Sequence, residues 1–446
     1  MKLYIPEPVI AHDEGFSEKA DIFQRKQFGE RLANLVRSCE DGIVIALDAQ
    51  WGEGKSTFIK MWRGHIGQDA ENPIKSLYFD AFANDYQKDP FLALAGELYD
   101  LVIDEGEEKK KEFKDKAKGV AKSLARGAVK IAVRTISGGI IDGSIIDSAG
   151  KDVSDMLADQ VDSIIADKLE NAKKDKLAIE SFRGYLEKFV DDHGNGSPIV
   201  FIIDELDRCR PDFALDLLEQ IKHLFSVKGI VFLLVLNRNA LEEIIRVRYG
   251  SGISAGQYLQ KFINLWLTLP RKSGYYYYED QGGQYIEYVL NQMLGDGERY
   301  RNEEAKSFLA QVSKQKRLSC REIERILSYF ALVQNMVDSG RFYNAYQIIL
   351  AFVCYLKVAK PELVEQICKK EVSGDNILEL AGLSRFEQES DYSYIKSLQR
   401  LIEYDFGDEE NRKKMREEGQ VNYQEFGHFS GNVLEKVSGW LSTISG

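Results

Sequence analysis

Residues 49–57 read Ala-Gln-Trp-Gly-Glu-Gly-Lys-Ser-Thr. Two glycines, Gly52 and Gly54, lead into Lys55, Ser56 and Thr57. Glycine lets backbone N–H groups converge on an anion without interference from Cβ. A lysine at this spacing reaches β- and γ-phosphate oxygens, and the hydroxyl after it ligates Mg²⁺. The chemistry implied is capture of a nucleoside triphosphate by Trp51, Gly52, Glu53, Gly54, Lys55, Ser56 and Thr57, with a helix N-terminus adding partial positive charge. The general pattern G-x-x-x-x-G-K-[ST] meets Ala49 at its first glycine, a position that serves the turn rather than the chemistry.

A phosphate loop needs an acid at the tip of a neighbouring strand. Ile199-Val200-Phe201-Ile202-Ile203 runs without interruption into Asp204-Glu205. Asp204 is placed to hold Mg²⁺ through water, opposite Ser56. Glu205, one residue further on, is placed to orient and deprotonate the attacking water. A third apolar run, Gly229 to Leu236, ends at Asn237-Arg238. Asn237 is a candidate for contact with the γ-phosphate or the lytic water, and Arg238 a weaker one. The expected sets are therefore Lys55, Glu205 and Asn237 for catalysis, and Ser56 and Asp204 for the metal.

These residues need strands ending at one edge and helices beginning there. Ile43 to Leu47 is short, apolar and β-branched, as a central parallel strand should be. Phe58 to Trp62 starts a helix. Helical spacing over 21–37, a strand over 74–80, helices over 90–102, 212–227 and 239–249, and a last strand over 262–269 complete an alternating pattern. Such alternation predicts a parallel sheet covered by helices on both faces. From about 271 the strand patterns fade and helical ones take over, including 286–293, 303–313, 321–337, 342–358 and 394–404. The expected division is a core over 1–270, carrying an inserted segment at about 105–177, and a helical lid and C-terminal region over 271–446.

The chain has 446 residues, 44% of them hydrophobic, enough to bury a large core. Its net charge of −12 excludes an overall basic, nucleic-acid-type surface. Five cysteines without CxxC or His pairing give no zinc pattern and suit a reducing cytosol. The N-terminal Met1 to Pro6 lacks a signal-peptide core, and no apolar window suggests a membrane span. The expected location is cytoplasmic.

The insert is unusual. A charge run, Glu107 to Glu112, is followed by Lys116–Ile141 with no acid at all. Lys118, Lys122, Arg126, Lys130 and Arg134 recur every four residues, a slowly turning basic stripe if helical. Membrane-surface contact by 118–141, nucleic-acid contact, an oligomer seam and packing on its own domain are all open readings. Tyr275–Tyr278 could stack on a base or a partner, or sit half-buried at a joint. Arg321, at a capped helix start, could fold over the nucleotide as a lid sensor or be an ordinary helix-terminal arginine.

Trp51-Gly52-Glu53-Gly54-Lys55-Ser56 and Ile203-Asp204-Glu205-Leu206-Asp207-Arg208-Cys209-Arg210-Pro211 together resemble the KAP family of P-loop NTPases. Tyr258 to Phe262 leading to Leu269-Pro270, and Ser319 to Arg325, also fit. The resemblance spans roughly 20–330. Ala49 departs from the family pattern, as does Glu205 where aspartate is frequent; glutamate is still a sound base. The resemblance implies a relative of AAA+ and signal-transduction ATPases with strand order 5-1-4-3-2, using ATP and Mg²⁺. It implies hydrolysis coupled to assembly, with homo-oligomers and, for many bacterial members, anti-phage defence partners. Many members carry membrane helices between the two acid- and phosphate-binding motifs, where this chain has its basic segment. It carries over Asp207 and Arg208 as motif residues, and leaves Arg208, Arg210, Arg246 and Arg248 as possible trans-acting arginines. A slow nucleotide switch that recruits an effector and a nucleic-acid-stimulated ATPase are the competing expectations.

Overall fold

The computed structural model describes residues 1–3, 14–102, 106–137, 151–271, 281–294, 302–336, 344–383, 394–421 and 432–444, with side chains except at 126–137, 151–169 and 344–345. The first half runs α1 (Lys26–Arg37), β1 (Ile43–Asp48), α2 (Lys55–Gly67), β2 (Ser76–Asp80), α3 (Ala81–Asn84), α4 (Pro90–Val102), α5 (Glu107–Ser137) and α6 (Lys151–His193). It continues with β3 (Ile199–Asp204), α7 (Pro211–Gln220), β4 (Ile230–Leu236), α8 (Arg238–Tyr249), α9 (Ala255–Leu259) and β5 (Leu265–Thr268).

The five strands are all parallel and lie in the order β2-β3-β4-β1-β5, which is 5-1-4-3-2 read from the other edge. β3 and β4 are buried at every residue, because helices cover both faces. Alternation then sorts the side chains. Val44, Ala46, Phe201, Ile203, Phe232 and Leu234 join the core under α4, α5, α6 and α7. Ile45, Leu47, Val200, Ile202, Leu233 and Val235 face Phe58, Ile59 and Trp62 of α2. The Trp62 indole donates to Gly29 O at 2.9 Å, fixing α1 against α2.

Three expectations are corrected in extent. The first helix begins at Lys26 rather than Asp21, because the Asp21 carboxylate accepts from Arg25 N and Lys26 N at 2.8 and 2.9 Å. The helix expected over 212–227 ends its α geometry at Gln220 and passes into a π turn, Ile221–Phe225. The last strand pairs only over Leu265–Thr268, since Phe262 N and Ile263 N both donate back to Leu259 O at the end of α9.

The charge run and the acid-free stretch as far as Ser137 form one helix, α5; residues 138–141 lie outside the described residues. Its first turns belong to the core. Phe113, Ala117 and Val120 are buried with Phe182, Leu186 and Phe189 of α6. An aromatic chain links these helices to the sheet: Phe91–Phe182 at 5.3 Å, Phe182–Phe225 at 5.6 Å and Phe225–Phe232 at 6.1 Å. Lys118 and Lys122 are exposed. The side chains of Arg126, Lys130 and Arg134, and the run Tyr275–Tyr278, lie outside the described residues.

The remainder is helical in what is described: α10 (Gln281–Met293), α11 (Glu303–Lys316), α12 (Cys320–Met336), α13 (Asn344–Ala359), α14 (Pro361–Cys368), α15 (Gly374–Leu380), α16 (Tyr394–Phe406), α17 (Glu409–Glu417) and α18 (Val433–Ser442). They share one core around α13, whose Ile349 to Leu356 stretch is fully or nearly fully buried. Asp405 of α16 accepts Val433 N and Leu434 N at 2.7 Å each, capping α18 from a distance. Among the described residues no helix is long and apolar enough to cross a membrane.

Candidate active site

The strand β1 ends at Asp48, and the chain turns through Ala49–Gly54 into α2. Gly52 and Gly54 take φ of 79° and 76°, conformations that L side chains resist. Ala49 is not among the positive-φ residues, so alanine serves where the general motif has glycine. The loop is anchored from behind. Arg25 is buried, stacks over Phe23 at 4.6 Å, and donates to Glu53 O at 2.9 Å and Pro270 O at 3.2 Å. Burial lowers its pKa to about 10, yet it stays charged at neutral pH. Glu53 is turned away from the phosphate side, accepting from Gln50 N at 3.0 Å and pairing with Arg271. Lys55 Nζ donates to Ala49 O at 2.6 Å and Gln50 O at 3.1 Å. Burial lowers its pKa, while Asp207, Asp204, Glu53 and Asp48 hold the proton on.

β3 brings the acids to the same edge. The Asp204 carboxylate accepts from Glu205 N at 2.9 Å and from the Tyr78 hydroxyl at 2.9 Å, and Ser56 lines the same cleft. Burial raises the Asp204 carboxyl, opposed by the neighbouring Ser56 and Tyr78 hydroxyls and by Glu205 N. Glu205 sits at φ 59°, a left-handed backbone that points its carboxylate into the cleft. Burial raises it too, opposed by Arg208, whose Nη1 lies 2.8 Å from Glu205 Oε1. The Trp51 indole bonds to Asp207 Oδ2 at 2.6 Å and so ties the loop to the turn after β3.

A cleft of about 370 Å³ lies over this edge. Its floor is the loop, Ser56 and Thr57; one wall carries Tyr78, Asp80, Asp204 and Glu205. The opposite wall comes from Asp21–Phe23, Tyr285, Cys320, Arg321 and Glu324. Cys320 N donates to Gly52 O at 2.9 Å, so the first turn of α12 sits directly on the loop. Arg321 is therefore in the cleft, and a Cβ on Gly52 would come within 3.1 Å of its side chain.

Asn237 is placed differently from Lys55 and Glu205. It is 4% exposed, caps α8 through Asn239 N and Ala240 N, and donates to Gln50 Oε1 at 3.1 Å. It braces the loop from beneath, and it is not among the cleft-lining residues. Arg238 stacks over Trp266 and pairs with Glu242, away from the cleft. The sequence reading missed Arg25, Tyr78, Asp80, Tyr285 and Glu324. Strand alternation could have flagged Tyr78 and Asp80 on β2, but only with the strand order in hand.

A glycine-bearing loop between β1 and α2, with an acid at the tip of β3, which lies beyond β4 in the same parallel sheet, defines a P-loop NTPase site. The sequence model of the KAP family P-loop domain matches residues 25–337, and the chain belongs to that family. Among solved structures it is similar to the ORC2 protein of Aeropyrum pernix in its ADPNP–ADP complexes, at 13% identity and a TM-score of 0.38, covering 98% of each chain. It is also similar to Cdc6p from Pyrobaculum aerophilum, at 12% identity and a TM-score of 0.40, covering 99% of this chain and 97% of that one. No curated protein matches it.

Proposed function

We propose that this protein binds ATP with Mg²⁺ in the cleft and hydrolyses the β–γ phosphoanhydride. The observation that carries the reading is that the Ser56 hydroxyl and the Asp204 carboxylate line one cleft with Lys55 and the phosphate loop. Mg²⁺ shared with phosphates takes few protein ligands, and this pair suits it. Ser56 and Asp204 would hold the cation, which would supply neutralisation of the phosphate charge. Gly52 and Gly54 present backbone N–H groups to the phosphates, and Lys55 leaves its loop carbonyls to neutralise the β- and γ-oxygens. Glu205 takes the proton of the attacking water, and Arg321 closes over the nucleotide from α12.

The output we propose is the one implied by family resemblance: hydrolysis drives or gates assembly of a homo-oligomer with anti-phage defence proteins. A second reading, a slow switch that recruits an effector, is favoured by one contact. Glu205 is engaged by Arg208 at 2.8 Å, and general-base action requires its release.

Purified protein turning over Mg·ATP tests the site. Glu205→Gln should lower kcat about 10²–10⁴-fold with nucleotide binding intact. Lys55→Ala should lose both. Wild-type turnover in both variants would sink the proposal. A basal rate that rises sharply in Arg208→Ala favours the switch. Mass photometry with and without ATP reads the assembly step.

A further inference from the structure

Tyr78 lies on the edge strand β2, opposite Ile202 of β3, and Asp80 lies opposite Asp204. Successive side chains in a strand alternate between faces. Leu77 and Phe79 therefore enter the core on the α4 side, while Tyr78 rises on the α2 side with Val200, Ile202 and Asp204. A residue on one strand reaches its diagonal neighbour two positions along the next when its side chain is long. The Tyr78 phenol does this, and its hydroxyl stands 2.9 Å from Asp204 Oδ2. The ring is held in turn: the Arg63 guanidinium of α2 lies 5.2 Å from its centroid.

The two oxygens of Asp204 thus have different fixed donors. Glu205 N takes Oδ1, and Tyr78 takes Oδ2. Ser56, in the same cleft, is the group that a cation would claim. Once Ser56 turns to a metal, Tyr78 and Glu205 N are what hold the carboxylate plane.

We propose that Tyr78 is a positioning residue for the metal: its hydroxyl fixes the Asp204 carboxylate in the plane that meets the Mg²⁺ of a bound nucleotide. This rests on the proposed nucleotide site. Groups that orient metal ligands typically alter metal affinity by about 10–100-fold when removed.

Tyr78→Phe keeps the ring and its stacking on Arg63 and deletes only the hydroxyl. Full-length protein is titrated with Mn²⁺ in the presence of a non-hydrolysable ATP analogue, and bound Mn²⁺ is read by electron paramagnetic resonance. The analogue's affinity is measured separately in EDTA. The expected result is about tenfold weaker Mn²⁺ binding in Tyr78→Phe, with metal-free nucleotide affinity and melting midpoint as in the wild type. Mn²⁺ binding that is unchanged or tighter overturns the inference. Equal loss with and without metal does so as well, by showing a structural role. Wild-type protein that holds no Mn²⁺·nucleotide overturns the nucleotide site itself, and this inference with it.

Discussion

Breaking the Trp51–Asp207 bond should destabilise the core by a calculable amount. The bond is 2.6 Å long and links the phosphate loop to the turn after β3. Asp207 is 6% exposed, so its carboxylate depends on the indole rather than on water. Hydrogen bonds to charged groups contribute about 1.5–3 kcal/mol. Trp51 is 48% exposed, which places this one near the lower end, at about 1.5–2 kcal/mol. Unfolding entropy of about 2.1 cal/mol/K per residue, taken over the matched span 25–337, gives roughly 0.65 kcal/mol per degree. The coupling between the two side chains should then be worth about 2–3 °C. The assay is a double-mutant cycle in nucleotide-free protein: Trp51→Phe, Asp207→Ala and the pair, by calorimetric melting. Each single variant loses the bond, so the double variant should melt about 2–3 °C above the sum of the single losses. Additive losses, within about half a degree, would refute the reasoning.

Gly52→Ala places a Cβ at φ 79° and 3.1 Å from Arg321, so nucleotide affinity should fall about tenfold, the equivalent of about 1.4 kcal/mol; an unchanged affinity by fluorescence titration contradicts this. Burial lifts Asp405 to about 6 against the two helix N–H groups it accepts. Its folded pKa exceeds the ordinary carboxylate value, so the folded state holds the extra proton between about 4 and 6, and stability falls as pH rises through that window. Asp405→Asn keeps an acceptor and does not titrate. The melting point of the wild type relative to this variant should drop from pH 4 to pH 7 by the equivalent of about 3 kcal/mol, and parallel curves would contradict it.

What could be read in advance follows from what is local. The runs at 199–203 and 230–236 are legible because a strand buried on both faces cannot alternate. Lys55, Ser56 and Asp204 are legible because loop chemistry demands their spacing. Tyr78 is not, because its importance depends on which strand lies beside β3. Phe23, Tyr285 and Glu324 come together only through packing of the turn before α1 with α10 and α12, which no short-range pattern encodes. Asn237 is the opposite case. A polar residue at a strand tip was legible, but its side chain is committed to capping α8 and bracing Gln50. Phe262 and Ile263 looked like strand residues because they are apolar, yet they close the turn after α9.

The long helices α5 and α6 occupy the crossover between β2 and β3, two strands that are neighbours in the sheet. Joining neighbours by a longer connection carries a cost that grows only with the logarithm of its length, about 0.6 kcal/mol per doubling. The crossover is thus a socket in the architecture. Phe113 and Phe182 are its fitting, locking whatever is plugged in to the aromatic chain that ends on β4. Length added to that crossover leaves the strands carrying Tyr78 and Asp204 in their register.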